Sequence, residues 1–99
     1  MEFLVEMVTN VPEGTDDATV ADTTAREAVR AAELARQGHL LRLWKPPAEP
    51  GQWRTFGLFG AGDEQQLNEI LASLPLHVWM TTEATPLAPH PNDPAGKRA

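Results

Sequence analysis

Residues 23–34 read TTAREAVRAAEL and carry a carboxylate in an unexpected place. With each residue set about 100° round from the last, as an α-helix requires, Asp22, Arg26, Arg30, Glu33, Arg36 and Gln37 gather on a wet arc. Ala21, Ala25, Ala28, Ala32 and Ala35 make one dry stripe, and Val20, Thr24, Ala31 and Leu34 make a second, with Glu27 in its middle. A carboxylate walled by Val20, Ala31 and Leu34 loses hydration. Its pKa then rises toward the range where it can take a proton at neutral pH and return it. The small Thr24 and Ala31 would leave room for a substrate beside it. The alternative is structural: an ion pair with Arg30 three residues on, or a stem reaching to solvent. No second carboxylate lies one turn away on the same arc, so the paired-acid chemistry of glycosidases is not indicated.

Other chemistry is sparse. His39, His77 and His90 are far apart in sequence and show no ligand-like spacing, so no metal is expected. Gly60 and Gly62 flank a helix start, but GAGD lacks the further glycines and the lysine of a phosphate loop. Trp53 could be interface, or could wall a pocket and offer its indole N–H. There are no cysteines, which excludes a disulfide scaffold and a thiol nucleophile. The formal net charge of -6 argues against nucleic acid, which needs a basic stripe. MEFLVEMVTN carries acid where a secretory leader needs base, and its apolar run is too short to span a bilayer, so a cytoplasmic protein with no membrane partner is expected.

These side chains need elements to position them. EFLVEMVTN, residues 2–10, alternates Phe3, Val5 and Met7 against Glu2, Glu6 and Asn10 and predicts a strand. A helix follows from about residue 17 to 37, closed by Gly38. HLLRLW, residues 39–44, and QWRTFGLF, residues 52–59, predict two strands joined by the Pro-rich KPPAEPG. A second helix is capped by Asp63 with Gln66 in the capping-box position. Leu67, Ile70, Leu71 and Leu74 form its dry stripe, and Pro75 ends it. Residues 76–85, LHVWMTTEAT, predict a fourth strand, and the rest is an extended tail held only if something binds it.

Strand, helix, strand, strand, helix, strand with right-handed crossovers gives an α+β, ferredoxin-like βαββαβ plan: a four-stranded antiparallel sheet with two helices on one face. The single domain covers residues 1–86 and the tail residues 87–99. The uncovered face would show either Trp53, Thr55 and Gly57 or Arg54, Phe56 and Leu58, according to register. Either set is too apolar for water and implies a partner, most simply a second copy of the chain.

MEFLVEM, AREA, LLRLW, LNEILASLPLHVWM and EATPLAPHPNDP, in that order, resemble the muconolactone Δ-isomerase family over nearly the whole chain. The resemblance implies dimeric α+β barrels assembled into decamers, no cofactor, and a proton shift within an unsaturated lactone of the catechol branch of the β-ketoadipate pathway. It places the family's helix glutamate, its proposed base, on Glu27. A tyrosine and an asparagine two residues apart on the third strand fall on Trp53 and Thr55, which differ in type but share one sheet face. The lactone carries a free carboxylate, for which Arg54, Arg42 or Arg26 could supply the cation. Two classes of function stand: a cofactor-free isomerase, with chloromuconolactone dehalogenation as a variant, or a non-isomerase dimeric α+β barrel of the cofactor-free monooxygenase or ligand-binding kind.

Overall fold

A computed structural model describes residues 1–97 of the chain. Four strands, β1 (Glu2–Thr9), β2 (Leu40–Trp44), β3 (Trp53–Gly60) and β4 (Met80–Leu87), form one sheet in the order β2-β3-β1-β4. Every neighbouring pair is antiparallel. Helices α1 (Asp17–Arg36) and α2 (Glu64–Ala72) cover one face. This is the ferredoxin-like plan that the order of elements requires.

The ends of the helices follow from local chemistry. Asp16 caps α1 by accepting the Thr19 N–H at 2.7 Å. At the other end Gly38 takes φ +81°. The N–H of Gly38 then reaches the Ala35 carbonyl at 3.2 Å, and that of His39 the Leu34 carbonyl at 2.9 Å. This pair of bonds is a Schellman closure, and a left-handed residue there favours glycine. Asp63 caps α2 through the Gln66 N–H at 2.8 Å. The Gln66 side chain reaches one residue further back than a capping box predicts and takes the Gly62 N–H at 2.6 Å.

Two sequence expectations need correction. Residues 76–79 do not belong to the fourth strand: Pro75–Trp79 is a 3-10 helix, and β4 starts only at Met80. Proline fixes φ near the helical value and needs no N–H partner, so it starts this turn and the strand is delayed. The ladder then runs on through Leu87. The second correction concerns α1. The stripe of Ala21, Ala25, Ala28, Ala32 and Ala35 is exposed, while the inward arc holds buried Thr23 and Leu34 with half-buried Glu27 and Ala31. Alanines carry too little surface to decide which face turns in, whereas Leu34 gains more by burial.

The core lies between the helices and the inner sheet face. Phe3, Val5, Met7, Phe59, Leu34, Leu67, Ile70, Leu71 and Leu74 form one buried cluster. On β3 the register sends Trp53, Thr55, Gly57 and Phe59 inward. Gly57 makes space for its neighbours, because a Cβ there would lie 2.5 Å from the Phe59 ring and 2.9 Å from the Met7 methyl. Arg54, Phe56 and Leu58 therefore occupy the uncovered face, the second of the two registers. Arg54 pairs with Glu6 across the strands and lies over the Phe56 ring, and Arg42 lies over Trp44. The face is a mosaic of apolar rings and long cations rather than a bare apolar sheet.

Candidate active site

Glu27 looks into a cavity of about 310 Å³ between α1 and the sheet. Thr24, Ala28 and Ala31 of α1 share its helical wall. Met7, Thr9, Leu40, Leu43, Trp53, Thr55 and Phe59 give the sheet floor, and Leu74, Leu76 and Met80 close the end. The space exists because α1 presents small residues where a core helix would present leucine. Ala31 and Thr24 line it as expected, whereas Val20 does not and Leu34 is fully buried in the core beside it.

The 3-10 turn fixes the carboxylate. The backbone N–H of Leu76 donates to Glu27 Oε1 at 2.9 Å, leaving the second oxygen free of any intramolecular bond among the described residues. Partial burial raises the Glu27 pKa above the ordinary glutamate range. The Leu76 N–H and the nearby His77 oppose that rise without cancelling it. The ion pair with Arg30 does not form. Arg30 instead turns to Ser73 at 3.0 Å and Glu33 at 3.3 Å, because Glu33 lies with it on the outer arc and Glu27 points inward.

The structure brings Glu27, Trp53 and Thr55 together around one cavity. It does not bring in the three arginines. Arg26 bonds Asp22 at 3.0 Å on the outer arc of α1, and Arg42 stacks on Trp44 on the opposite sheet face. Neither lines the cavity of its own chain: the helix period carries Arg26 outward and the strand period carries Arg42 through the sheet. Arg54 also points to the far face and pairs with Glu6, although it reaches the rim of a wider depression of about 850 Å³. That depression shares Thr24, Leu43, Trp53 and Thr55 with the Glu27 cavity and is also lined by Lys45.

Sequence reasoning missed three contributors. The Leu76 N–H was hidden inside an assumed strand. Thr9 and Leu43 became visible only through the ladder, which sets Thr9 opposite Trp53 and Leu43 opposite Gly57. The alternation of β1 does put Thr9 on the row of Phe3, Val5 and Met7, and a polar end to an apolar row is the signal that could have found it.

Known proteins share this sequence pattern and fold. The sequence model of muconolactone delta-isomerase matches residues 1–93. A muconolactone delta-isomerase of Cupriavidus pinatubonensis is 33% identical over 92 residues, covering 93% of this chain and 97% of that one. One from Rhodococcus opacus is 32% identical, covering 92% and 95%. The crystal structure of a muconolactone isomerase superposes with a TM-score of 0.84 at 28% identity, over 95% of each chain. A 5-chloro-2-hydroxyhydroquinone dehydrochlorinase of Burkholderia phenoliruptrix shares the fold alone, with a TM-score of 0.65 and 13% identity over 89% of this chain and 94% of the other.

Proposed function

Because the chain belongs to the muconolactone delta-isomerase family, we propose that it isomerises muconolactone to 3-oxoadipate enol-lactone, with Glu27 as the single acid–base group. The observation that carries this reading is Glu27 itself. It is a half-buried carboxylate with a raised pKa, oriented by one backbone N–H and open to a cavity of about 310 Å³ with mostly apolar walls.

The chemistry follows from that arrangement. The ring hydrogen beside the carboxymethyl arm is acidified through the C=C bond by the lactone carbonyl. Glu27 removes it, and the electrons move to the carbonyl oxygen to give a planar, furan-like oxyanion. The protonated Glu27 then returns the proton to the carbon next to the carbonyl, and the double bond has moved. One carboxylate serves both steps on one ring face provided that water stays out, so the apolar walls serve the reaction. Thr55 and Trp53 on the floor supply donors toward the oxyanion. The substrate carboxylate lies toward the shared depression, where Lys45 and Arg54 stand. No step calls for a metal or an organic cofactor.

The mosaic face of Phe56, Leu58 and Trp44 supports pairing with a second copy into a dimeric α+β barrel, and the family resemblance supports higher assembly toward a decamer. Among the described residues no helix is long and apolar enough to cross a membrane, and we place the protein in the cytoplasm. The reading is tested by incubating purified protein with muconolactone and following its ultraviolet absorbance and its product. Conversion to the enol-lactone is expected. Intact lactone after prolonged incubation would overturn the reading, and chloride release from 5-chloromuconolactone in the same assay would assign the dehalogenase variant.

A further inference from the structure

Thr9 is 4% exposed, at the end of the inner row Phe3, Val5, Met7 of β1. Its hydroxyl has no hydrogen-bond partner among the described residues, yet no side-chain polar atom there is both fully enclosed and unpaired. The hydroxyl is therefore not sealed in the core, and Thr9 lines the Glu27 cavity. A hydroxyl at the end of this apolar row contributes less than a methyl would, and valine would fill the same β-branched volume. A donor kept there awaits something in the cavity.

Its position specifies what. Thr9 faces Trp53 directly across the β1–β3 ladder, and Thr55 lies diagonally from it beside Met7. Both threonines thus belong to the sheet floor, while Glu27 hangs from the helical wall. Proton removal to a conjugated oxyanion demands such a division. The breaking C–H bond must stand perpendicular to the ring to overlap the π system, so the base approaches from above. The carbonyl lone pairs lie in the ring plane, so a ring that turns one face to Glu27 and its carbonyl edge to the sheet meets the two threonines with those lone pairs. Thr24, the other threonine on the cavity, is already committed, since its hydroxyl donates to the Val20 carbonyl at 2.8 Å.

We infer that Thr9 is a catalytic hydrogen-bond donor that, with Thr55, holds the oxyanion formed when Glu27 takes the proton. This rests on the isomerase reading above. It adds a residue that the sequence resemblance did not mark.

The test separates the two. In turnover of muconolactone, Thr9→Val is expected to lower kcat roughly ten- to a hundredfold with KM changed by less than about threefold, and Thr9→Ser to keep most activity. Independently, Glu27→Gln mimics the protonated base, so 4-nitrophenolate, a planar oxyanion with a visible absorbance, serves as the probe. Binding to Glu27→Gln is expected to weaken roughly tenfold in the Thr9→Val/Glu27→Gln double variant and to recover with Thr9→Ser/Glu27→Gln. Equal phenolate affinity with and without the hydroxyl, or no binding to Glu27→Gln at all, would overturn the role of Thr9. An inactive wild type whose Glu27→Gln variant still binds phenolate through Thr9 would overturn the isomerase reading alone.

Discussion

The two helices lie on the same sheet face and treat it in opposite ways. Against α2 the space is filled: Leu67 is 0% exposed, and Ile70 and Leu71 are buried with it against the sheet. Against the middle of α1 the space is hollow, because Thr24, Ala28 and Ala31 stop short of the floor and leave the cavity that Glu27 shares. A filled region stabilises by burial and dispersion. A hollow one forgoes that stabilisation and gains a mostly apolar chamber with a half-buried carboxylate. Small residues beside a half-buried carboxylate are thus a sign of use rather than of poor packing.

The contrast can be broken from either side. The largest effect is expected at Glu27→Gln, which keeps the shape and the Leu76 bond but cannot take a proton. Turnover should fall by roughly 10²–10⁴-fold, with circular dichroism and assembly unchanged. Near-normal turnover would remove Glu27 from the mechanism. In the filled region, Leu67→Ala should cost about 2–5 kcal/mol in denaturant unfolding, through lost transfer energy and a new void, while turnover per folded molecule stays close to wild type.

Filling the hollow sharpens the point. Ala31→Leu puts a branched side chain into the cavity and should raise KM roughly tenfold or more without lowering the melting temperature. Unchanged KM would mean that the substrate lies elsewhere, in the wider depression beside Lys45.

The smallest expected effect is on stability against pH. The folded-state pKa of Glu27 lies above its unfolded value, so between the two the folded state holds the proton more tightly than the unfolded one. Stability should therefore decline as pH rises through that window, which opens at the ordinary glutamate value, and stay level beyond it. Activity should rise over the same window as the base ionises. Melting temperatures of wild type and Glu27→Gln across mildly acidic pH check this, since the decline attributed to Glu27 should be absent from the amide variant.

The strand alternation of β1, the cap at Asp63 and the leucine stripe of α2 are local signals, and each was legible because side-chain period and terminal hydrogen bonds are set by near neighbours. The 3-10 turn was not, because LHVW carries β-favouring residues and the effect of Pro75 on the next turn competes with them. The inward arc of α1 was only half legible: Glu27, Ala31 and Leu34 were placed on one stripe, but the alanine stripe taken as dry is exposed, with Ala28 at the cavity edge.

By itself, then, the amino-acid sequence determined the order of elements, the ferredoxin-like plan and the oddness of a glutamate amid small residues. These depend on periodicity and chirality, which a chain carries in every short stretch. The tertiary structure alone decided that Trp53 and Thr55 face the helices and that Arg42 and Arg54 turn to the other face. It also decided that Leu76 holds Glu27 and that Thr9 joins the site. Each of these is a matter of register or of contact between residues distant in the chain. A one-residue slip of β3 would exchange its two faces, and only the packed sheet fixes which of them meets the carboxylate.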